Sequence, residues 1–188
     1  RLNQRGVKEV LYEGLTRGEK DFNALVTKIK ATGAEAVYFG GCYPEAGALV
    51  RQMREQGVGA KLVGGDCVLN PDLVAAAGGA QYTDGVYVTF GRDARNIPES
   101  KQVVESFRKS GFEPDGYTLY AYAAVQSIAA AMQASGSTEG KAVADWLKAN
   151  TVPTAMGPKG WDSKGDLKVS DFVMYVYGAD GVARELNN

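Results

Sequence analysis

Two short segments concentrate the residues whose types suit ligand binding: Gly40-Gly41-Cys42-Tyr43-Pro44-Glu45 and Gly64-Gly65-Asp66-Cys67. Paired glycines let another molecule come close to the backbone. A carboxylate such as that of Asp66 accepts charge-assisted hydrogen bonds from a ligand ammonium. It would serve equally as a cap for the helix after it or as a solvated surface group. Glu45 falls in the first turn of an expected helix, where a carboxylate complements the helix dipole. Tyr117 opens a long uncharged helix, in which an aromatic lines either a ligand site or the core. Cys42 and Cys67 end neighbouring strands of an expected parallel sheet. Strands lie about 4.8 Å apart, and a disulfide needs Cα atoms about 4.4–6.8 Å apart. A bridge, as an oxidising compartment would favour, and two half-buried thiols both fit.

Other chemistries are excluded by what the chain does not contain. There is no histidine, which removes Ser-His-Asp triads, Cys-His pairs and His-ligated metals. Two cysteines are too few for a structural zinc site. No G-x-G-x-x-G follows an expected strand, no phosphate-binding G-x-x-x-x-G-K-[ST] occurs, and no G-x-S-x-G elbow is present. With no nucleophile–base pair in view, the list of enzymes is thinned sharply, but composition names no function. The 21 basic and 22 acidic residues leave a net charge of −1, which argues against a nucleic-acid partner.

The elements that must position these residues follow from periodicity. Val7–Tyr12 reads as a strand. Thr16 and Glu19 match a capping box, ahead of a helical stripe at Phe22, Leu25, Val26 and Ile29 that Gly33 would end. Ala36–Phe39 reads as a buried parallel strand. Pro44 suits a first helical turn, and Ala46, Leu49, Val50 and Met53 repeat the stripe. Strand Lys61–Val63, a short helix Pro71–Ala77 and strand Gly85–Phe90 complete a β-α-β-α-β-α-β order, hence a parallel sheet with helices on both faces. Gly91–Pro98 reads as a linker. Helices are expected at Glu99–Ser110, Gly116–Gln133 and Thr138–Asn150, with little sheet among them. A hairpin is expected around Gly178–Gly181, joining Asp171–Tyr177 to Val182-Ala183.

The helices of 91–171 need a sheet that the strands of 1–90 are too few to supply, which implies part of a larger protein whose remainder contains strands. Gly116–Thr138 carries no charge and is long enough to span a membrane. Its alanines, Gln126, Ser127 and Gln133 favour a helix within a protein core. No signal-peptide core follows Arg1-Leu2-Asn3-Gln4-Arg5, a feature a mature secreted protein shares.

Three spaced motifs then converge. Thr16-Arg17-Gly18-Glu19-Lys20-Asp21-Phe22, Tyr38-Phe39-Gly40-Gly41-x-x-Pro44-Glu45-Ala46-Gly47 and Met156-Gly157-Pro158-x-x-Trp161-Asp162-x-x-Gly165-Asp166-Leu167 resemble the branched-chain amino-acid (Leu/Ile/Val) binding proteins of bacterial ABC transporters. The resemblance runs in order over essentially the whole chain. It implies an α/β type I periplasmic-binding-protein fold, in which two doubly wound parallel-sheet lobes joined by a hinge clamp a ligand, and which is incomplete here. Residues 1–90 correspond to most of the second lobe, 91–171 to the part returning to the first, and 172–188 to the C-terminal hairpin of the second. The implied ligand positions are Asp66, matching the acidic residue that holds the ligand α-ammonium, Tyr117, matching a cleft aromatic from the other lobe, and Cys42, Tyr43 and Gly41. Cys42 stands where many members have a Tyr, a departure that alters the side-chain pocket. The implied function is ligand binding without a cofactor, not enzyme catalysis. The implied partners are a small amino acid, the membrane permease of the transporter and the missing N-terminal half. The implied location is periplasmic, or extracellular and lipid-anchored in a Gram-positive host. A ligand-sensing domain of the same fold, or a binder of aromatic acids or amides, is the alternative.

Overall fold

The two apolar stripes wind helices against one sheet. The computed structural model describes residues 3–186 and divides into two units, Arg1–Phe90 with Phe172–Asn188, and Gly91–Asp171. In the first unit, helix α1 (Asn23–Thr32) buries Val26 and Ile29, follows the buried Phe22 at its N-cap, and stops at Gly33 in the left-handed conformation. Strand β1 (Ala36–Phe39) follows, then helix α2 (Tyr43–Glu55), which buries Ala46, Leu49, Val50 and Met53. Strand β2 (Lys61–Gly64), short helices α3 (Leu73–Ala77) and α4 (Ala80–Thr83) and strand β3 (Tyr87–Gly91) complete the alternation. β1 pairs with β2, and β2 with β3, all parallel.

The second unit is mainly helical. It holds α5 (Lys101–Lys109), α6 (Thr118–Ser135) and α7 (Gly140–Ala149), then an antiparallel ribbon of β4 (Thr151–Thr154) and β5 (Gly157–Gly160). Its core is small: Ala94, Val104, Leu119, Ala123 and Met156. The chain returns to the first unit as β6 (Phe172–Tyr177) and turns into the antiparallel β7 (Ala183–Glu185). The five-stranded order is β1-β2-β3-β6-β7. Tyr177 bonds Gly85 and Val86 while Asp171 bonds Arg92, so β6 runs antiparallel to β3.

Several expectations need correction. Val7–Tyr12 is not a strand; it runs as irregular chain outside both sheets. A strand exists only through a ladder with a neighbour, however suitable its residues. Thr16 and Glu19 form no capping box. The Glu19 N–H donates to the Thr16 carbonyl across a turn, and α1 begins later, at Asn23. The entrance to α1 is held locally by the Asp21 carboxylate, which accepts from the Asn23 N–H at 3.0 Å, and from a distance by the buried Gln52, which accepts from the Phe22 N–H at 2.6 Å and donates to the Lys20 carbonyl at 2.8 Å. Glu45 adds a second tie, accepting from the Gly18 N–H at 2.8 Å. The helix expected from Pro71 starts at Leu73, and the strand expected from Gly85 starts at Tyr87. The second-unit helices begin two residues later than expected, and the β4–β5 ribbon was not anticipated by the pattern. Among the described residues no helix is long and apolar enough to cross a membrane. Tyr122, Val125 and Ile128 of α6 are exposed, in line with the shortage of strands in 91–171.

Two outcomes follow. Gln52→Ala leaves the Phe22 N–H and the Lys20 carbonyl without their side-chain partner, so chemical denaturation should show a loss of about 1–3 kcal/mol. A loss below a few tenths would exclude this role. The Gly18 N–H holds the Glu45 carboxyl below the ordinary carboxylate value. Because the folded-state pKa is the lower one, the tie is intact above the unfolded pKa and is lost as pH falls through the folded one. Acidification below about pH 4 should shift the Gly18 amide resonance; an amide unmoved down to about pH 2 would contradict it.

Candidate functional site

The sheet itself builds the site. β1 and β2 pair from Ala36↔Lys61 to Phe39↔Gly64, so their carboxyl ends stop side by side. In an open parallel sheet, ligands bind beyond such ends. The chain leaves β1 through Gly40-Gly41 and enters α2 at Tyr43, with Cys42 in the N-cap position and Pro44 in the first turn. Gly41 is dictated by packing: a Cβ there would lie 2.5 Å from the ring of the buried Phe39. Tyr43 is half-buried and packs on the core.

The chain leaves β2 through Gly64-Gly65 into a single 3-10 turn, Asp66–Val68. Asp66 is exposed, and its carbonyl accepts from the Leu69 N–H at 3.0 Å. The cap position of α3 is taken by Asp72, not Asp66. Beneath the turn, Val68 is fully buried. The turn's far side is tied down by Tyr177 of β6. Its phenol donates to the Asn70 carbonyl at 3.0 Å and accepts from the Asn70 N–H at 3.1 Å. Burial pushes the Tyr177 phenol above its ordinary pKa, so it stays a neutral donor.

Cys42 and Cys67 form a disulfide with Cα atoms 4.6 Å apart. The pairing that the sequence left open is thereby settled, and Cys42 offers no free thiol. The structure brings Gly41, Cys42, Tyr43 and Asp66 to one end of the first unit's sheet.

Tyr117 belongs to the second unit, where it is exposed at the start of α6. Asp115 organises this start. Its carboxylate accepts from the Thr118 hydroxyl at 2.8 Å and from the Tyr117 N–H at 3.2 Å, while the Asp115 N–H donates to the Thr118 hydroxyl at 3.1 Å. The Thr118 hydrogen bond is the main reason that the Asp115 carboxyl sits below its ordinary value. Asp115 and Tyr177, both supporting residues, escaped the sequence reading. The Asp-x-x-Thr spacing could have revealed the first; nothing local marks the second. Two surface grooves, of about 680 and 240 Å³, are lined by other residues, among them Trp161 and Lys148 in one and Glu13 and Lys28 in the other. Among the described residues no three acidic or sulfur side chains cluster as metal ligands.

Comparison with known proteins gives this end of the sheet its context. Residues 1–181 match the family model described as periplasmic binding protein. An amino acid binding protein of Pseudomonas aeruginosa is 60% identical over 98% of this chain and 50% of its own length. A Leu/Ile/Val-binding protein homolog of Brucella suis is 47% identical, over 96% of this chain and 49% of its own. Among solved structures, a leucine binding protein from Thermotoga maritima superposes with a TM-score of 0.77 at 24% identity, covering 92% of this chain and 49% of that one. The chain thus spans about half the length of the curated relatives it matches. Its mixed α/β architecture with a parallel sheet is that of the type I periplasmic binding proteins. The chain belongs to the periplasmic binding protein family.

Proposed function

We propose that this chain is part of the extracytoplasmic solute-binding component of an amino-acid ABC importer. The observation that carries the reading is Asp66: an exposed carboxylate just beyond the carboxyl end of a central parallel strand, reached through paired glycines. An ammonium group is the ligand chemistry such a carboxylate favours. The names of the relatives, an amino acid binding protein and a Leu/Ile/Val-binding protein homolog, support an aliphatic amino acid as the ligand.

In this reading, residues 1–90 with 172–188 are most of one lobe and 91–171 belong to the other. Asp66 holds the α-ammonium, with Gly41, Cys42 and Tyr43 beside it. Tyr117 supplies an aromatic group to the ligand. Closure about the hinge removes water from the cleft and strengthens the polar contacts. The closed form then docks on the membrane permease. The protein holds its ligand without transforming it.

The test uses the full-length protein. Calorimetry against L-leucine, L-isoleucine and L-valine should show binding, and Asp66→Ala should weaken it at least tenfold, given about 1.5–3 kcal/mol for a hydrogen bond to a charged group. Unchanged affinity in the variant would remove Asp66 from the site. Binding confined to aromatic acids that lack an amine would overturn the amino-acid reading.

A further inference from the structure

Both loops at the candidate site begin at glycines, the residue type with the most backbone freedom to lose on ordering. A Cβ at Gly40 or Gly65 would meet nothing within 4 Å, whereas one at Gly41 would meet the Phe39 ring and one at Gly64 the Val68 side chain, so each pair has one glycine facing open space. Yet a group that recognises a ligand must be held to about 0.5 Å by what surrounds it. Tyr177 restrains the far side of the second loop through Asn70. The near side, Gly65-Asp66, is shaped within its own turn, where the two carbonyls accept from the Val68 and Leu69 N–H groups at 3.0 Å each, and the remaining restraint is one that ties this turn to the β1 loop.

The Cys42–Cys67 bond is placed to supply it. Cys42 lies three residues past Phe39 and Cys67 three past Gly64, the last paired positions of the two strands. The bond therefore extends the β1–β2 pairing beyond the hydrogen-bonded ladder and across both glycine pairs. Cys67 directly follows Asp66, and Cys42 lies between Gly41 and Tyr43. The bridge does not fill the core. Cys67 is exposed and Cys42 half-buried, whereas Phe39, Leu62 and Val68 pack beneath.

We propose that the Cys42–Cys67 disulfide is a positioning element for ligand recognition, fixing the Asp66 backbone against the loop that carries Gly41–Tyr43. The proposal rests on the amino-acid reading above. Asp66 is the group that holds the ligand ammonium, and the disulfide acts through it. A crosslink that preorganises two contact loops raises affinity by lowering the cost of ordering them on binding.

The experiment is a double-mutant cycle on the full-length protein, read by calorimetry with L-leucine, L-isoleucine and L-valine. Its four members are the wild type, the Cys42→Ser/Cys67→Ser pair, Asp66→Ala and the triple variant. Circular dichroism confirms folding. Wild-type and Asp66→Ala proteins reduced with a phosphine form the same cycle without cysteine substitutions, should the serine pair fail to fold. Loss of the bridge should weaken binding at least fivefold in the wild-type background and less than twofold in the Asp66→Ala background. A purely structural crosslink would cost the same in both. Equal losses in the two backgrounds, or a loss below twofold in the first, would overturn the positioning role and leave the amino-acid reading standing. Failure of the wild type to bind any of the three would overturn that reading and this proposal together.

Discussion

The parallel pairing of β1 with β2 is the constraint on which the candidate site depends. It is only four residues deep, yet it sets two chain ends beside each other at the same level. Because the strands run the same way, both must leave through loops on the same side of the sheet and return by crossovers, α2 being one. The loops therefore meet, and residues remote in sequence share a surface. Gly41 lies where it does because the Phe39 ring closes the end of β1. Asp66 lies where it does because Val68 anchors the turn after β2 in the core. The candidate site is thus a by-product of strand direction, decorated by a few side chains.

The first unit tolerates weak local signals because restraints from a distance add to them. The start of α1 combines a local tie, the Asp21 carboxylate accepting from the Asn23 N–H at 3.0 Å, with a glutamine on the next helix that holds the Phe22 N–H and the Lys20 carbonyl. The turn at Gly18 is likewise tied by Glu45, which also lies in the first turn of α2. One helix thereby organises the approach to another. The arrangement places α2 at the centre of the unit, with its apolar stripe on the core and its polar edge holding the preceding segment.

Strong periodicity was legible in the sequence, and pairing was not. The stripes at Phe22–Ile29 and Ala46–Met53, the strands Ala36–Phe39 and Lys61–Val63 and the C-terminal hairpin follow from spacing alone, because burial of one face leaves its period in the residues. Val7–Tyr12 misled because its valines, leucine and tyrosine suit a strand while neither described sheet includes the segment. Thr16 and Glu19 misled because the same spacing closes a turn as readily as it opens a helix. The β4–β5 ribbon was hidden by its prolines, which argue against strands. Pro153 and Pro158 face each other across the ribbon, so the missing donors fall at one shared position and the ladder loses little. At the site, the glycines and Asp66 were recognisable as residue types. The disulfide depended on a register that pattern cannot fix, and the reach of Tyr177 to Asn70 spans more than a hundred residues.

The first unit is not continuous along the chain. β3 ends at Gly91, and the strand that lies beside it, β6, begins only at Phe172. During synthesis the second unit has all its residues on hand before the first has its last two strands. Until β6 arrives, one edge of β3 presents a row of backbone donors and acceptors with no ladder, the kind of edge that recruits other chains. Contacts this distant form slowly. The order of emergence from the ribosome therefore sets the period over which the nascent chain depends on being kept apart from its own copies.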